Sequence, residues 1–320
     1  MTRWLAACAG IALLLLLPFG AMTDYYVNLS SQILIAAIFA LSLNLLVGHA
    51  AYLGVAAYAT AWLMLHTGIG HGFAAIGALA ITTAMAGLYG VIALRASGLG
   101  FLMITLALGQ ILWGLAFRWV GVTGGDNGIT VLTRPAPLGI DLTSPIAFYY
   151  FTLVFFAVAA SCIAIFARSP FGACVRGARD QPRRMSALGH NVWMIRWITF
   201  VLAGFWGAVS GLLYVYYHKF ISPHALSLTG SAEVLLMVIA GGPATLLGPI
   251  VGAALVVVVK NVVSGYIERW NFLLGAIFVA IVILMPEGLV PGTARLWRVG
   301  WRRFRRRRGA VLAQGPEPKS

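Results

Sequence analysis

The chain has 320 residues, of which 61% are hydrophobic and 9% charged, with a mean hydropathy of +0.91 and a formal net charge of +14. Soluble domains carry about 25% charged residues, so this chain cannot cover a globular surface with polar groups, and lipid is its main solvent. The excess positive charge lies in two clusters, one at mid-chain and one near the C-terminus; beside apolar spans such clusters mark the cytoplasmic side of a membrane, and with no nucleic-acid-binding motif in the chain a nucleic-acid partner is not expected.

A membrane-crossing helix needs about 20 mostly apolar residues. The opening stretch "MTRWLAACAGIALLLLLPFGAMT" has one arginine, an apolar core and a small-residue site at Gly20 and Ala21, like a secretory leader. With further spans downstream, an uncleaved first helix over 4–22 is the expectation. Spans follow over 32–48, 50–66, 73–94, 99–119, 146–167, 193–217, 246–263 and 270–286. The run 232–240 is too short to cross unaided and ends in "GGPATLLGP", where Gly and Pro interrupt the helix. The pair 32–48 and 50–66 is cramped, with Gly48 and His49 between its members. Broken segments at membrane depth are tolerated where protein buries them or where they line a cavity. The expected fold class is therefore an all-α integral membrane protein. It is a polytopic helical bundle of about eight to ten transmembrane segments, with short broken or re-entrant helices. Residues 1–292 form the membrane domain and 293–320 a basic tail with eight arginines between Arg295 and Arg308.

Placing the N-terminus in the cytoplasm and counting the short run as a crossing puts both basic clusters on the cytoplasmic side. Arg118, Arg134, Lys219 and Arg269 then fall outside, and Lys260 near the outer end of its span. This bias follows the positive-inside rule. The segments 120–145 and 218–231 face outward. A weak internal repeat lays "GHAAYLGVAAYATA" from Gly48 on "GPATLLGPIVGAAL" from Gly242, aligning Gly54 with Gly248. Chance matching in a chain rich in Gly, Ala and Leu explains it; so does a pair of corresponding broken segments flanking a transport path.

Catalytic signatures are missing from the sequence. It has no G-x-x-x-x-G-K-[ST], no G-x-S-x-G and no H-E-x-x-H. Cys8, Cys162 and Cys174 form no C-x-x-C, so neither a zinc site nor a disulfide framework is indicated. No histidines pair at metal-ligand spacing within a helix. The few polar residues at membrane depth are Asn44, Thr105, Gln110 and Glu233. Interhelical hydrogen bonding accounts for them at about 0.6–2 kcal/mol each; lining of a solute path is the alternative. For Glu233 the simple reading is a helix-start carboxylate favoured by the positive end of the helix. The outward stretch "TGGDNGI" over 123–129 reads as an ordered turn.

One polar island, 168–192, interrupts the apolar runs. Its Ser169-Pro170-Phe171-Gly172 reads as a turn leaving the membrane. Ala173 to Leu188 then reads as a short helix closed by Gly189, with Pro182 expected to kink or divide it unless it sits in a first turn. Arg176, Arg179 and Arg183 recur at helical spacing. A solvated positive-inside loop and a docking helix for a cytoplasmic partner both fit this pattern.

Eight pieces in order resemble the permease subunits of branched-chain amino acid ABC importers. They are "LSLNLLVGHAAYLGVAAY" (41–58), "ITLALGQI" (104–111), "TGGDNGI" (123–129), "SPFGACVRGARD" (169–180), "ALGHNV" (187–192), "FISPHALSLTGSAEVLLMVIAGG" (220–242), "LLGPIVGAAL" (246–255) and "PEGLVPG" (286–292). The resemblance implies a multi-pass subunit of the bacterial inner membrane with cytoplasmic N- and C-termini and no cofactor of its own. Its implied partners are a homologous second permease, two cytoplasmic ATP-binding subunits, an external solute-binding protein and membrane lipid. The island then carries the coupling helix, with Arg176, Arg179, Asp180, Ala187, Leu188 and Gly189 at the matching positions. Asn44, Gly48, Gly54, Thr105, Gln110, Glu233, Gly242 and Gly248 are the candidates for the translocation path. The chain departs from the family pattern at Pro182, Met185 and Ser186, where an acidic residue and an alanine pair are common. It also departs at Gln110, where relatives often carry Glu. Related permeases are associated with urea, short amides or other amino acids, which remain alternative solutes. A stand-alone channel or secondary transporter is the rival of another class.

Overall fold

The computed structural model describes residues 23–45, 51–66, 70–131, 142–243, 245–266, 270–285 and 288–293. The expected first helix over 4–22, Gly48 and the basic tail beyond Thr293 lie outside the described residues. The elements in chain order are α1 (Asp24–Leu45), α2 (Ala51–His66), α3 (His71–Ala93), α4 (Leu99–Arg118), α5 (Val120–Thr123), β1 (Ile129–Thr130), α6 (Pro145–Arg168), α7 (Pro170–Asp180), α8 (Pro182–Ala187), α9 (Val192–His218), β2 (Phe220–Ile221), α10 (Leu228–Gly241), α11 (Gly248–Val263) and α12 (Trp270–Leu284).

Among the described residues, α1, α3, α6 and α9 are long and apolar enough to cross a membrane. The sequence from Met103 to Asn127 qualifies as a fifth span if its 82° bend between α4 and α5 is counted within one crossing. α10, α11 and α12 are shorter apolar helices. This is the all-α polytopic bundle with broken segments that composition predicts.

The centre is α9, 27 residues and about 40 Å long. α1 runs antiparallel to it: Ser210 Oγ donates to Ile35 O at 3.0 Å and Ser42 Oγ donates to Ala203 O at 2.6 Å. Each such bond contributes about 1 kcal/mol in hydrocarbon. A stripe of small residues lets the neighbours approach the other side of α9. A Cβ on Gly204 would strike Ala86 of α3, and one on Gly211 would strike the Leu53 carbonyl of α2. α3 is pinned a second time by Trp197 Nε1, which donates to Gly87 O at 2.9 Å. Outward faces are apolar, as lipid requires: Phe73 is 74% exposed and Leu88 68%.

α1 begins eight residues before the span expected from hydropathy, at Asp24. Its polar first turns are accommodated internally. Ser30 and Ser31 donate back to Tyr26 O and Val27 O at 2.8 and 3.0 Å, and Gln32 bonds across to other helices. Hydropathy alone does not see such satisfied hydroxyls.

α10 and α11 form a hairpin that turns after Gly241. At 14 and 16 residues they are about 21 and 24 Å long, short of a hydrocarbon core of about 30 Å. Glycine makes the hairpin tight. A Cβ on Gly252 would meet the Met237 carbonyl, and one on Gly241 the Gly248 carbonyl. Thr245 closes the turn by accepting from Gly248 N at 2.9 Å and donating to Gly242 O at 3.2 Å.

At one end of the bundle a two-stranded antiparallel ribbon ties two connections together, with Ile129 opposite Ile221 and Thr130 opposite Phe220. Gly128 precedes it with φ +66°, and a Cβ there would strike Ile221 O. The "TGGDNGI" turn is therefore one half of a clasp between the two segments expected to face outward. α7 and α8 sit at the opposite end of α9.

Candidate functional site

The hairpin, α1, the end of α9 and the short turn Pro223–Leu226 enclose a cavity of about 630 Å³ at the ribbon end. Its deeper wall is apolar and includes Ile35, Phe39, Met237, Val256 and Val257. Its polar wall includes Gln32, Glu233, Lys260 and Asn261. Lys260 Nζ donates to Glu233 Oε2 at 2.9 Å and Oε1 at 3.2 Å, joining α11 to α10. Their side chains are 47% and 21% exposed. A pair this solvated contributes about 0–1 kcal/mol to stability. Beside it, Asn261 Nδ2 donates to Gln32 Oε1 at 3.0 Å, and Gln32 Nε2 donates to Tyr217 Oη at 3.0 Å. This chain fixes the ends of α1, α9 and α11 relative to one another.

Among the described residues, Glu233 is the one sequence-derived path candidate that lines this cavity. Its simple sequence reading changes in one respect. α10 starts at Leu228, capped by Ser227 Oγ accepting from Gly230 N at 3.2 Å, so Glu233 lies in the second turn. The helix dipole acts within the first turn, and the partner of Glu233 is Lys260. The other candidates fall into two groups. Asn44 reaches the hairpin turn, where its Nδ2 donates to Thr245 O at 3.2 Å, close to Gly242 and Gly248. Its Oδ1 is buried without a hydrogen-bond partner. Gly54 lies against Leu226, which leaves no room for a Cβ. Thr105 and Gln110 lie on α4 and do not converge: Thr105 is buried, with Oγ1 donating to Phe101 O at 2.7 Å, and Gln110 is exposed. Sequence reading missed Gln32, Tyr217 and Asn261, whose partners are up to 229 positions away.

At the other end, the island forms two helices. Ser169 caps α7, accepting from Gly172 N at 3.1 Å. Pro182 divides the expected Ala173–Leu188 helix at Gln181 and takes the first turn of α8, where its missing N–H costs nothing. Gly189, with φ +84°, closes α8 as foreseen. Its N–H donates to Ser186 O at 3.0 Å, and that of His190 to Met185 O at 3.1 Å, the paired bonds of a Schellman stop. Met185 packs against Gly177 and holds the two helices together.

Two arginines seat this unit on the bundle. Arg176 Nη1 donates to Ala167 O at 2.6 Å, on the last turn of α6. Arg196 Nη2, from the first turns of α9, donates to Ala178 O at 2.7 Å. Arg176 is thus a seating residue. Arg179, which pairs with Asp180 at 3.0 Å, Arg183, Arg184 and Leu188 are exposed, and Leu188 is 73% so. Ala187 is exposed beside them. Among the described residues no group of three or more His, Cys, Asp or Glu could hold a metal ion.

Residues 25–282 match the family model described as branched-chain amino acid transport system / permease component. Among curated proteins, the chain is similar to the high-affinity branched-chain amino acid transport system permease protein LivM of Salmonella typhimurium and to that of Escherichia coli. Each is 25% identical over 299 aligned residues, covering 83% of this chain and 70% of the relative. No solved structure matches it. The family match takes in the island, the hairpin and the residues lining the cavity, and the resemblance drawn from the eight motifs is borne out: the chain belongs to the branched-chain amino acid transport permease family.

Proposed function

We propose that this chain is a permease subunit of an ATP-driven importer for branched-chain or related amino acids, with ATP hydrolysed on separate subunits. The carrying observation is the α7–α8 unit. It is bolted to α6 and α9 by Arg176 and Arg196, and it presents an exposed face of arginines and Leu188. An apolar residue left open among charges at the end of a membrane bundle suits a groove in a soluble partner. The partner set is a second, homologous permease, two ATP-binding subunits docked at α7–α8 and an external solute-binding protein at the ribbon end. Exposed Gln110, an amide on the lipid-facing side of α4, gains a polar neighbour if the second permease covers it. The permease needs no cofactor and carries out no catalysis. Vesicles holding all the subunits are expected to accumulate leucine only with ATP inside the compartment reached by α7–α8. Leucine flux through vesicles holding this chain alone would overturn the reading.

The bacterial inner membrane is the proposed location, with α7–α8 and both termini in the cytoplasm. The charge bias supports this orientation. In a variant with its native cysteines replaced, a membrane-impermeant maleimide added to intact cells should label Tyr266→Cys, at the cavity end, and spare Leu188→Cys. The reverse pattern would invert the orientation.

A further inference from the structure

We propose that the cavity at the ribbon end is a binding subsite for the zwitterion of an apolar α-amino acid, held by the Glu233 carboxylate and the Lys260 ammonium. The inference rests on the import reading and gives it a location and a chemistry.

Three observations lead there. First, two ion pairs differ in kind. Arg179–Asp180 joins neighbours on an exposed helix, whereas Glu233–Lys260 joins two helices across the wall of a cavity. Charged groups carried on apolar helices of a membrane bundle face a cavity or a partner, and they mark solute paths. Second, the pair is dispensable as a staple. The hairpin is already held by the backbone approaches at Gly252 and Gly241 and by the Thr245 turn. Third, the charged pair is followed one helical turn further along by apolar lining: Met237 on α10 and Val256 and Val257 on α11, with Ile35 and Phe39 of α1 beside them. Sites for small molecules are built in this way, with few polar groups placed over apolar walls, in volumes of about 300–1,000 Å³.

The chemistry of the ligand follows from the walls. An α-ammonium group can replace Lys260 as the donor to Glu233, and an α-carboxylate can replace Glu233 as the acceptor from Lys260. Both protein charges then keep an opposite partner while the pair opens, so no charge is left unmatched. A branched aliphatic side chain is directed onto the valine, isoleucine and methionine wall, where burying it is favourable. Urea and short amides offer neither charge and no apolar body, so they are poor ligands for this arrangement. The other ionisable groups lining the cavity, His218, His224 and Tyr214, leave Glu233 as its one carboxylate among the described residues.

The test uses the purified full chain in nanodiscs and leucine as the probe, with binding read by calorimetry. Leucine should bind saturably. Glu233→Gln and Lys260→Gln should each weaken it by about tenfold or more, the loss expected for one charge-assisted hydrogen bond. Two analogues separate the roles. Leucinamide, which lacks the carboxylate, should lose affinity in Glu233→Gln and be insensitive to Lys260→Gln. 4-Methylpentanoate, which lacks the amine, should show the opposite dependence. If a variant fails to fold, the wild-type chain still decides, because both analogues should bind it about tenfold more weakly than leucine. No saturable leucine binding, leucine affinity unchanged in both variants, or equal competition by urea would overturn the proposal. Failure here and failure of the import reading are distinguishable. ATP-driven leucine uptake by the complete assembly carrying both substitutions, at the wild-type rate, would sink the subsite and leave the importer standing.

Discussion

Exchanging Leu188 for aspartate is expected to lower ATP-driven uptake by about tenfold or more while the amount of inserted protein stays unchanged. Leu188 follows α8, is 73% exposed and touches no part of the core, so its loss removes nothing that holds the bundle together. A buried apolar anchor at a docking interface commonly contributes about 2 kcal/mol or more, and each 1.4 kcal/mol is about tenfold in the association constant. Aspartate adds a desolvation penalty to the lost contact. Arg179→Ala should weaken uptake in the same direction and by less, because its pairing with Asp180 is solvent-screened. Uptake and ATPase co-purification measured side by side check both. Normal uptake with both residues changed would remove the docking assignment.

Gly252→Val should prevent stable folding of the α10–α11 hairpin. A Cβ at this position would meet the Met237 carbonyl, and the backbone of Gly241 also lies close. Neither is a side-chain tip that can swing aside. Overpacking costs about 1–3 kcal/mol where side chains can adjust, and more where backbone must move. Here the two helices would have to separate, which would also open the cavity between them. Little monodisperse protein in detergent is the expected result. Gly114→Ala on α4 is the control: nothing lies within 4 Å of a Cβ there, and Ala in a helix interior gains about 0.5–1 kcal/mol over Gly. A Gly252→Val chain with wild-type yield and melting temperature would mean that the hairpin is looser than its geometry implies.

The bundle was legible in the sequence because hydropathy and the positive-inside bias act locally and along the chain. Spans over 73–94, 146–167 and 193–217 reappear within a few residues as α3, α6 and α9. The dividing effect of Pro182 and the stop at Gly189 were legible for the same reason, since each is set by a single residue's backbone chemistry. Contacts across the chain were hidden. Gln32 meets Asn261 across 229 positions, and nothing in either neighbourhood announces the other. Lys260 read as one more charge near a span end, and Glu233 as a helix-start carboxylate. Their union needs the hairpin turn, which a short apolar run ending in Gly and Pro suggested without fixing its register. The stripe Gly204, Gly207, Gly211 has helical spacing in the sequence and went unread, because small residues are common throughout this chain.

The seating of α7 bears on how a push would travel. Its second turn is tied to the end of α6 through Arg176 and its third to the start of α9 through Arg196, while the break at Gln181 leaves α8 outside those ties. A force applied at α8 therefore reaches two long helices at once, as torque on a yoke with a jointed handle. α9 touches α1, α2 and α3 along its length, so rotation at one face of the membrane would be carried about 40 Å to the other by a single rigid shaft. The response at the ribbon end would then depend on how stiffly that shaft is gripped by its glycine-lined sleeve.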